Sequence, residues 1–106
     1  KMSAACVCSL LAMAAAGAGT QVHVHYAALN LLVRGRKRWF LFPPAAATWP
    51  TEPPDVRALR DLGAVEVVQE PGDLLYIPEW WGHGALAEEP CVAIAQEFIP
   101  LASIFS

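Results

Sequence analysis

The chain predicts an all-β domain, a sandwich or barrel. Three observations carry that expectation. Several short runs are apolar and rich in β-branched or aromatic residues, turn signals bearing glycine or proline recur at close spacing, and a single stretch has helical patterning. At 106 residues there is material for one core and not for two. Apolar residues make up 56%, high for a free-standing soluble domain, so an apolar face covered by something else is expected. A second copy in a homodimer, or an upstream segment, would serve. The chain opens on Lys1, and residues 1–106 are read as one domain that forms part of a longer one.

Taken in order, Val7 to Met13 is a strand and Ala14 to Gly19 a small-residue connection. The opening KMSAACVCSLLAMAAAGAGT has the outline of a secretory signal, but its small residues run on into the stretch before the histidines. No apolar run approaches the roughly 20 residues that span a bilayer. Gln21 to His25 is read as a strand. Leu29 to Val33 and Arg36 to Phe42 are expected to pair as a hairpin across Arg34-Gly35, with Gly35 supplying a positive φ. Asn30, Leu32, Lys37 and Trp39 then share one face, and Arg36, Arg38, Phe40 and Phe42 the other.

Pro43 to Pro54 is a proline-rich loop. Asp55 to Leu62 is a short connecting helix, capped by Asp55, with Val56, Leu59 and Leu62 as its apolar edge and Gly63 ending it. Val65 to Gln69 is a strand, Pro71-Gly72-Asp73 a type II turn, and Leu74 to Ile77 a strand stopped by Pro78. Beyond the Trp80-Trp81-Gly82 corner, His83 to Leu86 and Cys91 to Ile99 are strands joined by the acidic turn Ala87 to Pro90.

The chemistry gathers on the three histidines. On a strand, residues i and i+2 share a face, so His23 and His25 point the same way. Two imidazoles from one segment and one from distant His83 make a three-ligand metal site with open positions, suited to zinc, copper, iron or nickel. Alone, an H-x-H pair is more often surface than metal site. Lys37 is the second candidate. An inward ammonium is costly unless it meets an anion, and no acidic residue lies near it in sequence; the alternative is a lysine that reaches outward along an open rim.

Other signals are weaker. Net charge is −3, which excludes a global basic field for nucleic acid, and Arg34, Arg36, Lys37 and Arg38 form only a local run. Cys6, Cys8 and Cys91 are an odd count without zinc-finger spacing, so they set no disulfide framework.

GAGTQVHVH, LNLLVRGRKRWFLFPP, EPGDLLYIPEWWGH and AIAQEF, in this order and spacing, resemble the JmjC and cupin-like family of Fe(II) and 2-oxoglutarate-dependent oxygenases over about residues 9–99. The resemblance implies a double-stranded β-helix (jelly roll) with a metal in its mouth. It also implies further strands upstream, and a protein or peptide substrate that is hydroxylated or demethylated with Fe(II), dioxygen and 2-oxoglutarate. By the same resemblance His23 and His83 match metal histidines and Lys37 the lysine that pairs with the 2-oxoglutarate carboxylate. Asn30 matches an asparagine of the co-substrate pocket, and Thr20 a threonine at its mouth. Two positions depart from the pattern. His25 stands where a carboxylate ligand is usual, and Ala95 where a threonine often contacts 2-oxoglutarate. Two further readings therefore stand beside the oxygenase: a non-catalytic JmjC-like domain for metal binding or protein interaction, and a three-histidine cupin with other metal chemistry. A cytoplasmic or nuclear location is expected, with the secretory pathway as the alternative.

Overall fold

Alternation of inward and outward side chains along each strand builds most of this protein, and the inward residues include small ones, Ala85, Ala87, Ala93 and Ala95. The computed structural model describes residues 5–44 and 55–104. Its elements are β1 (Ala5–Ala14), β2 (Ala28–Arg34), β3 (Lys37–Phe42), α1 (Val56–Asp61), β4 (Val65–Gln69), β5 (Leu74–Ile77), β6 (Gly82–Ala87), β7 (Cys91–Pro100) and α2 (Leu101–Ile104). They form a four-stranded sheet in the order β1-β7-β2-β5, facing a three-stranded sheet in the order β4-β3-β6. This is a β-sandwich of the jelly-roll kind, as the strand and turn pattern led one to expect.

The inward residues come from register. In the first sheet Asn30 and Leu32 of β2 lie opposite Ala95 and Ala93 of β7, which lie opposite Leu10 and Ala12 of β1. In the second, Lys37 and Trp39 of β3 lie between Gln69 and Val67 of β4 and Ala87 and Ala85 of β6. Leu32, Ala87, Cys91 and Ala93 close one end of the sandwich, with Ala12 and Ala14 against them. Trp39, Ile77 and Ala85 fill its middle. Alanine at so many inward positions leaves room for a ligand between the sheets.

The expected hairpin between β2 and β3 does not form. β2 pairs with β5 and β7, β3 pairs with β4 and β6, and the chain crosses from one sheet to the other at Gly35. Both strands have inward residues to bury, and two facing sheets bury them better than one two-stranded ribbon. Gly35 does take a positive φ of 97°. Its larger role is steric, because a Cβ there would lie 2.3 Å from the Pro90 carbonyl oxygen and 2.8 Å from Cys91 Sγ. The grouping of side chains survives the corrected pairing. Asn30, Leu32 and Trp39 are buried and Lys37 half-buried, while Phe40 and Phe42 bury on the opposite side of β3.

That outer side is covered by α1. Asp55 caps the helix, accepting from the Arg57 and Ala58 N–H groups at 3.0 and 3.4 Å. Leu59, fully buried, packs with Val22, Phe40 and Phe42, and Val56 lies against them. Leu62 does not join this edge; as the C-cap it is exposed. The Pro71-Gly72 turn closes as expected, with the Asp73 N–H donating to the Glu70 carbonyl at 3.0 Å. Most of the Pro43 to Pro54 loop, and Cys6 as a side chain, lie outside the described residues. Cys8 is exposed and Cys91 buried.

Two surface features bear on partners. Arg36 pairs with Glu70 at 3.2 Å, and Arg38 with Glu66 and Glu88 at 3.0 and 3.2 Å, so two of the four basic residues of the run are neutralised by neighbouring carboxylates. The outer face of the four-stranded sheet carries an apolar row, Leu11, Ile94, Leu31 and Leu74, one residue from each strand. Leu11 and Leu74 are 63% and 62% exposed. Among the described residues no helix is long and apolar enough to cross a membrane.

Candidate metal centre

The segment before β2 brings two histidines to β6. It runs antiparallel beside that strand, but not as the regular strand expected for Gln21 to His25. Only isolated bridges form, Gly19 with Leu86 and His23 with His83, and the register slips by one residue between them. The slip has a local cause. Ala85 N–H donates to the Thr20 hydroxyl at 3.0 Å, so a side chain takes the place of a backbone acceptor. Gly84 makes the close approach possible, since a Cβ there would lie 3.0 Å from the Thr20 carbonyl oxygen. At His23 and His83 the backbones exchange hydrogen bonds of 3.0 Å in both directions, which locks the two residues side by side.

The three imidazoles converge. Each offers a ligand nitrogen, and those atoms lie within 4.8 Å of one another. Ring centroids are 4.3 Å apart for His23 and His83, 4.4 Å for His25 and His83 and 5.3 Å for His23 and His25. His23 Nδ1 lies 2.8 Å from the Gln21 carbonyl, His25 Nδ1 2.6 Å from that of Tyr26, and His83 Nδ1 2.9 Å from that of Trp81. A carbonyl oxygen only accepts, so all three Nδ1 atoms carry the proton. In a neutral ring held this way, Nε2 is the nitrogen that presents a lone pair.

His25 Nε2 and His83 Nε2 are 2.9 Å apart, a separation that calls for a shared proton or a metal ion held by both nitrogens. The donor set therefore fits a divalent metal, with the backbone fixing each tautomer as a metal site requires. His83 is 2% exposed. Burial lowers its pKa to about 4; the Trp81 carbonyl opposes that shift and the neighbouring imidazoles add to it. It is thus held in the neutral, ligating form.

The Trp80-Trp81 corner does more than the sequence suggested. Trp80 takes a φ of 65°, a left-handed conformation that a bulky residue adopts only when its surroundings impose it. Its N–H donates to the His25 carbonyl at 3.1 Å and its ring lies 5.0 Å from that of Tyr26. Trp81 supplies the carbonyl for His83. The aromatic pair itself gave no hint of this, because the signal lies in the backbone.

The remaining predicted residues fall in two places. Lys37 and Thr20 line one cleft of about 290 Å³ with Ala18, Gly19, Ala85 and Ala87. Lys37 Nζ sits 5.3 Å from the Trp39 ring and has no carboxylate partner among the described residues. Burial lowers its pKa, against an opposing effect from Cys91. Its charge is under-compensated, which suits an anionic ligand. Asn30 belongs to a different, buried network. Gln69 Nε2 donates to the Asn30 carbonyl at 2.9 Å and Oδ1 at 3.2 Å, while Trp39 Nε1 donates to Gln69 Oε1 at 2.8 Å. Trp39 also lies between the two ends, its ring centroid 6.3 Å from that of His83.

His23 and His25 line a second cleft, of about 460 Å³, with Ala28, Ala95 and Glu97 among its walls. Glu97 escaped the sequence reading, although the alternation Ala93, Ala95, Glu97 along AIAQEF already places it on the inward face.

Comparison with known proteins bears on the family and the fold. JmjC domain-containing protein 8 of Homo sapiens is 32% identical over 98 residues, covering 78% of this chain and 35% of the relative. A Caenorhabditis elegans protein described as a bifunctional arginine demethylase and lysyl-hydroxylase is 28% identical, covering 81% of this chain and 28% of the relative. The chain spans about a third of the length of JmjC domain-containing protein 8 and less of the other curated relatives it matches. Among solved structures, the Escherichia coli ribosomal oxygenase YcfD, in complex with cobalt and succinic acid, superposes with a TM-score of 0.65 at 24% identity. That match covers 85% of this chain and 22% of YcfD. KdgF from Halomonas sp. gives 0.63 at 21% identity, covering 89% of this chain and 69% of that one. The family model described as the JmjC domain matches residues 1–102, and this chain belongs to the JmjC domain family.

Proposed function

We propose that the chain is the core of an Fe(II)- and 2-oxoglutarate-dependent oxygenase that hydroxylates or demethylates a protein side chain. The observation that carries this reading is the convergence of three Nε2 lone pairs whose Nδ1 protons are all held by backbone carbonyls. Relatives described as demethylases and hydroxylases support the reaction class, and YcfD structures with cobalt and succinic acid or 2-oxoglutarate support the ligands.

In this reading His23, His25 and His83 hold the metal and leave positions open on the cleft side. Iron held there supplies the redox chemistry with dioxygen. Lys37 binds the distal carboxylate of 2-oxoglutarate, which compensates an ammonium that burial disfavours. Thr20 shapes the same cleft. Asn30 acts from the buried network behind it, holding Gln69 and through it Trp39, against which the co-substrate lies. The carbonyls of Gln21, Tyr26 and Trp81 hold each imidazole by its Nδ1 and aim Nε2 at the common point.

Two residues favour a second reading, a non-catalytic metal-binding or protein-interaction domain. His25 brings no negative charge to the metal, and Ala95 brings no hydroxyl to the co-substrate. The test is metal analysis of anaerobically purified protein with and without 2-oxoglutarate, followed by succinate formation under Fe(II) and ascorbate. The oxygenase reading expects retained metal, metal-dependent 2-oxoglutarate binding and succinate. Retained metal without succinate favours the non-catalytic domain, and dioxygen uptake without 2-oxoglutarate favours a three-histidine cupin with other chemistry. Protein that takes up no divalent metal overturns the oxygenase and the cupin, and leaves of the second reading only a protein-interaction domain.

A further inference from the structure

The departure of this chain from H-x-D or H-x-E has a counterpart across the cleft. Glu97 of β7 lies opposite Ala28 of β2 and Cys8 of β1. By strand parity it shares the inward face with Ala95 and Ala93. It is the acidic member of an otherwise small-residue row, at the end nearest the histidines. Its Oε1 stands 3.6 Å from His25 Nδ1, with the two side chains 32% and 28% exposed.

The hydrogen bond from that nitrogen goes to the Tyr26 carbonyl at 2.6 Å. At 3.6 Å the carboxylate is beyond hydrogen-bond length, so it acts on the imidazole through its charge. A carboxylate behind a ligating histidine raises the basicity of the nitrogen that meets the metal.

We infer that Glu97 is a positioning and charge-supplying residue for the metal centre, acting through His25 in place of the missing carboxylate ligand. This rests on the assignment of the three histidines as metal ligands. The charge count explains why the site would need it. A divalent ion on three neutral imidazoles has a formal charge of +2, whereas one aspartate or glutamate among the ligands lowers it to +1. Glu97 restores that lower sum without entering the coordination sphere. All open positions therefore stay available to small ligands. A distinctive consequence follows: removing the Glu97 charge weakens the hold on the cation and strengthens the hold on an anion bound to it. A residue that merely packs would weaken both.

Cobalt(II) and azide make the test. Cobalt(II) affinity is measured by chelator competition, followed in the visible spectrum, for the wild type, Glu97→Gln and Glu97→Asp. Azide affinity is then read from the spectral change of each cobalt-loaded protein, and urea unfolding of the metal-free proteins reports any loss of fold. Glu97→Gln is expected to bind cobalt(II) about tenfold more weakly, the low end for a lost carboxylate behind a histidine ligand, because the Tyr26 carbonyl remains. The same variant is expected to bind azide more tightly, and Glu97→Asp to stay near wild type in both. Unchanged cobalt(II) and azide affinities in Glu97→Gln overturn the inference, as does a parallel loss of both. So does a Glu97→Asp variant as impaired as Glu97→Gln, since charge would then not be the cause. A wild type that binds no cobalt(II) overturns the metal assignment and this inference together. Wild-type binding with an unaffected Glu97→Gln overturns this inference alone.

Discussion

The two ends of the β3–β6 face differ in how their polar groups are satisfied. At the mouth, three imidazoles each give a proton to a backbone carbonyl and turn their other nitrogen to a common point. At the Lys37 end a half-buried ammonium has the face of Trp39 and no carboxylate among the described residues. Backbone atoms organise the first site before any ligand arrives. The second is a charge waiting for its counter-charge. A metal should therefore bind without 2-oxoglutarate, while 2-oxoglutarate should need both ends.

The largest expected effect breaks the first end. His23→Ala or His83→Ala should remove most divalent-metal binding, since two imidazoles hold an ion poorly, while the fold persists by circular dichroism. Full metal occupancy in either variant would remove the basis for the site. Breaking the second end should leave the metal in place. Lys37→Ala should weaken 2-oxoglutarate binding by about 1.5–3 kcal/mol, the worth of a charge-assisted hydrogen bond. Lys37→Arg should not restore it fully, because a planar fork needs different room. Equal affinities by calorimetry would mean that the lysine serves only packing.

The wall between the ends gives a smaller effect, on stability. Gln69→Leu removes the acceptor for Trp39 Nε1 and the donor to Asn30, leaving buried polar atoms without partners. A loss of about 1–3 kcal/mol in urea unfolding is expected, with metal content unchanged. An unaltered midpoint would show that the network can rearrange.

At His25 ligand is exchanged for ligand, so the metal should stay and only turnover should change. His25→Asp adds a negative charge that favours a more oxidised iron, so succinate formation should rise above a slow wild-type rate. Ala95→Thr on top should raise it further by adding a hydroxyl at the co-substrate. If the wild type turns over briskly and His25→Asp abolishes it, three neutral ligands suffice for the reaction. With Glu97 beside His25, the gain from His25→Asp should also be larger in the Glu97→Gln background, where no other carboxylate supplies charge.

Much of the site was legible in residue types and spacing. Histidines at i and i+2 reach one point even though the segment is not a regular strand, because the one-residue slip falls before His23. Lys37 was legible because its alternation with Arg36 and Arg38 survives any pairing: they meet Glu70, Glu66 and Glu88 on the outside while it turns inward. The hairpin was not legible. Arg34-Gly35 has hairpin chemistry, and only the approach of Pro90 and Cys91 to Gly35 shows that the chain is changing sheets there.

What the amino-acid sequence determined by itself is local: the strands other than Gln21 to His25, the Asp55 cap, the Pro71-Gly72 turn and the side of β3 on which each residue falls. These depend on propensity and on a two-residue period, both carried by neighbouring residues. The tertiary structure alone decided which strands pair and which carbonyl holds each imidazole. It also decided that Trp80 would adopt a left-handed backbone and that Glu97 would stand beside His25. Those outcomes depend on groups far apart in the chain, brought within a few ångströms only when two sheets close over a shared interior.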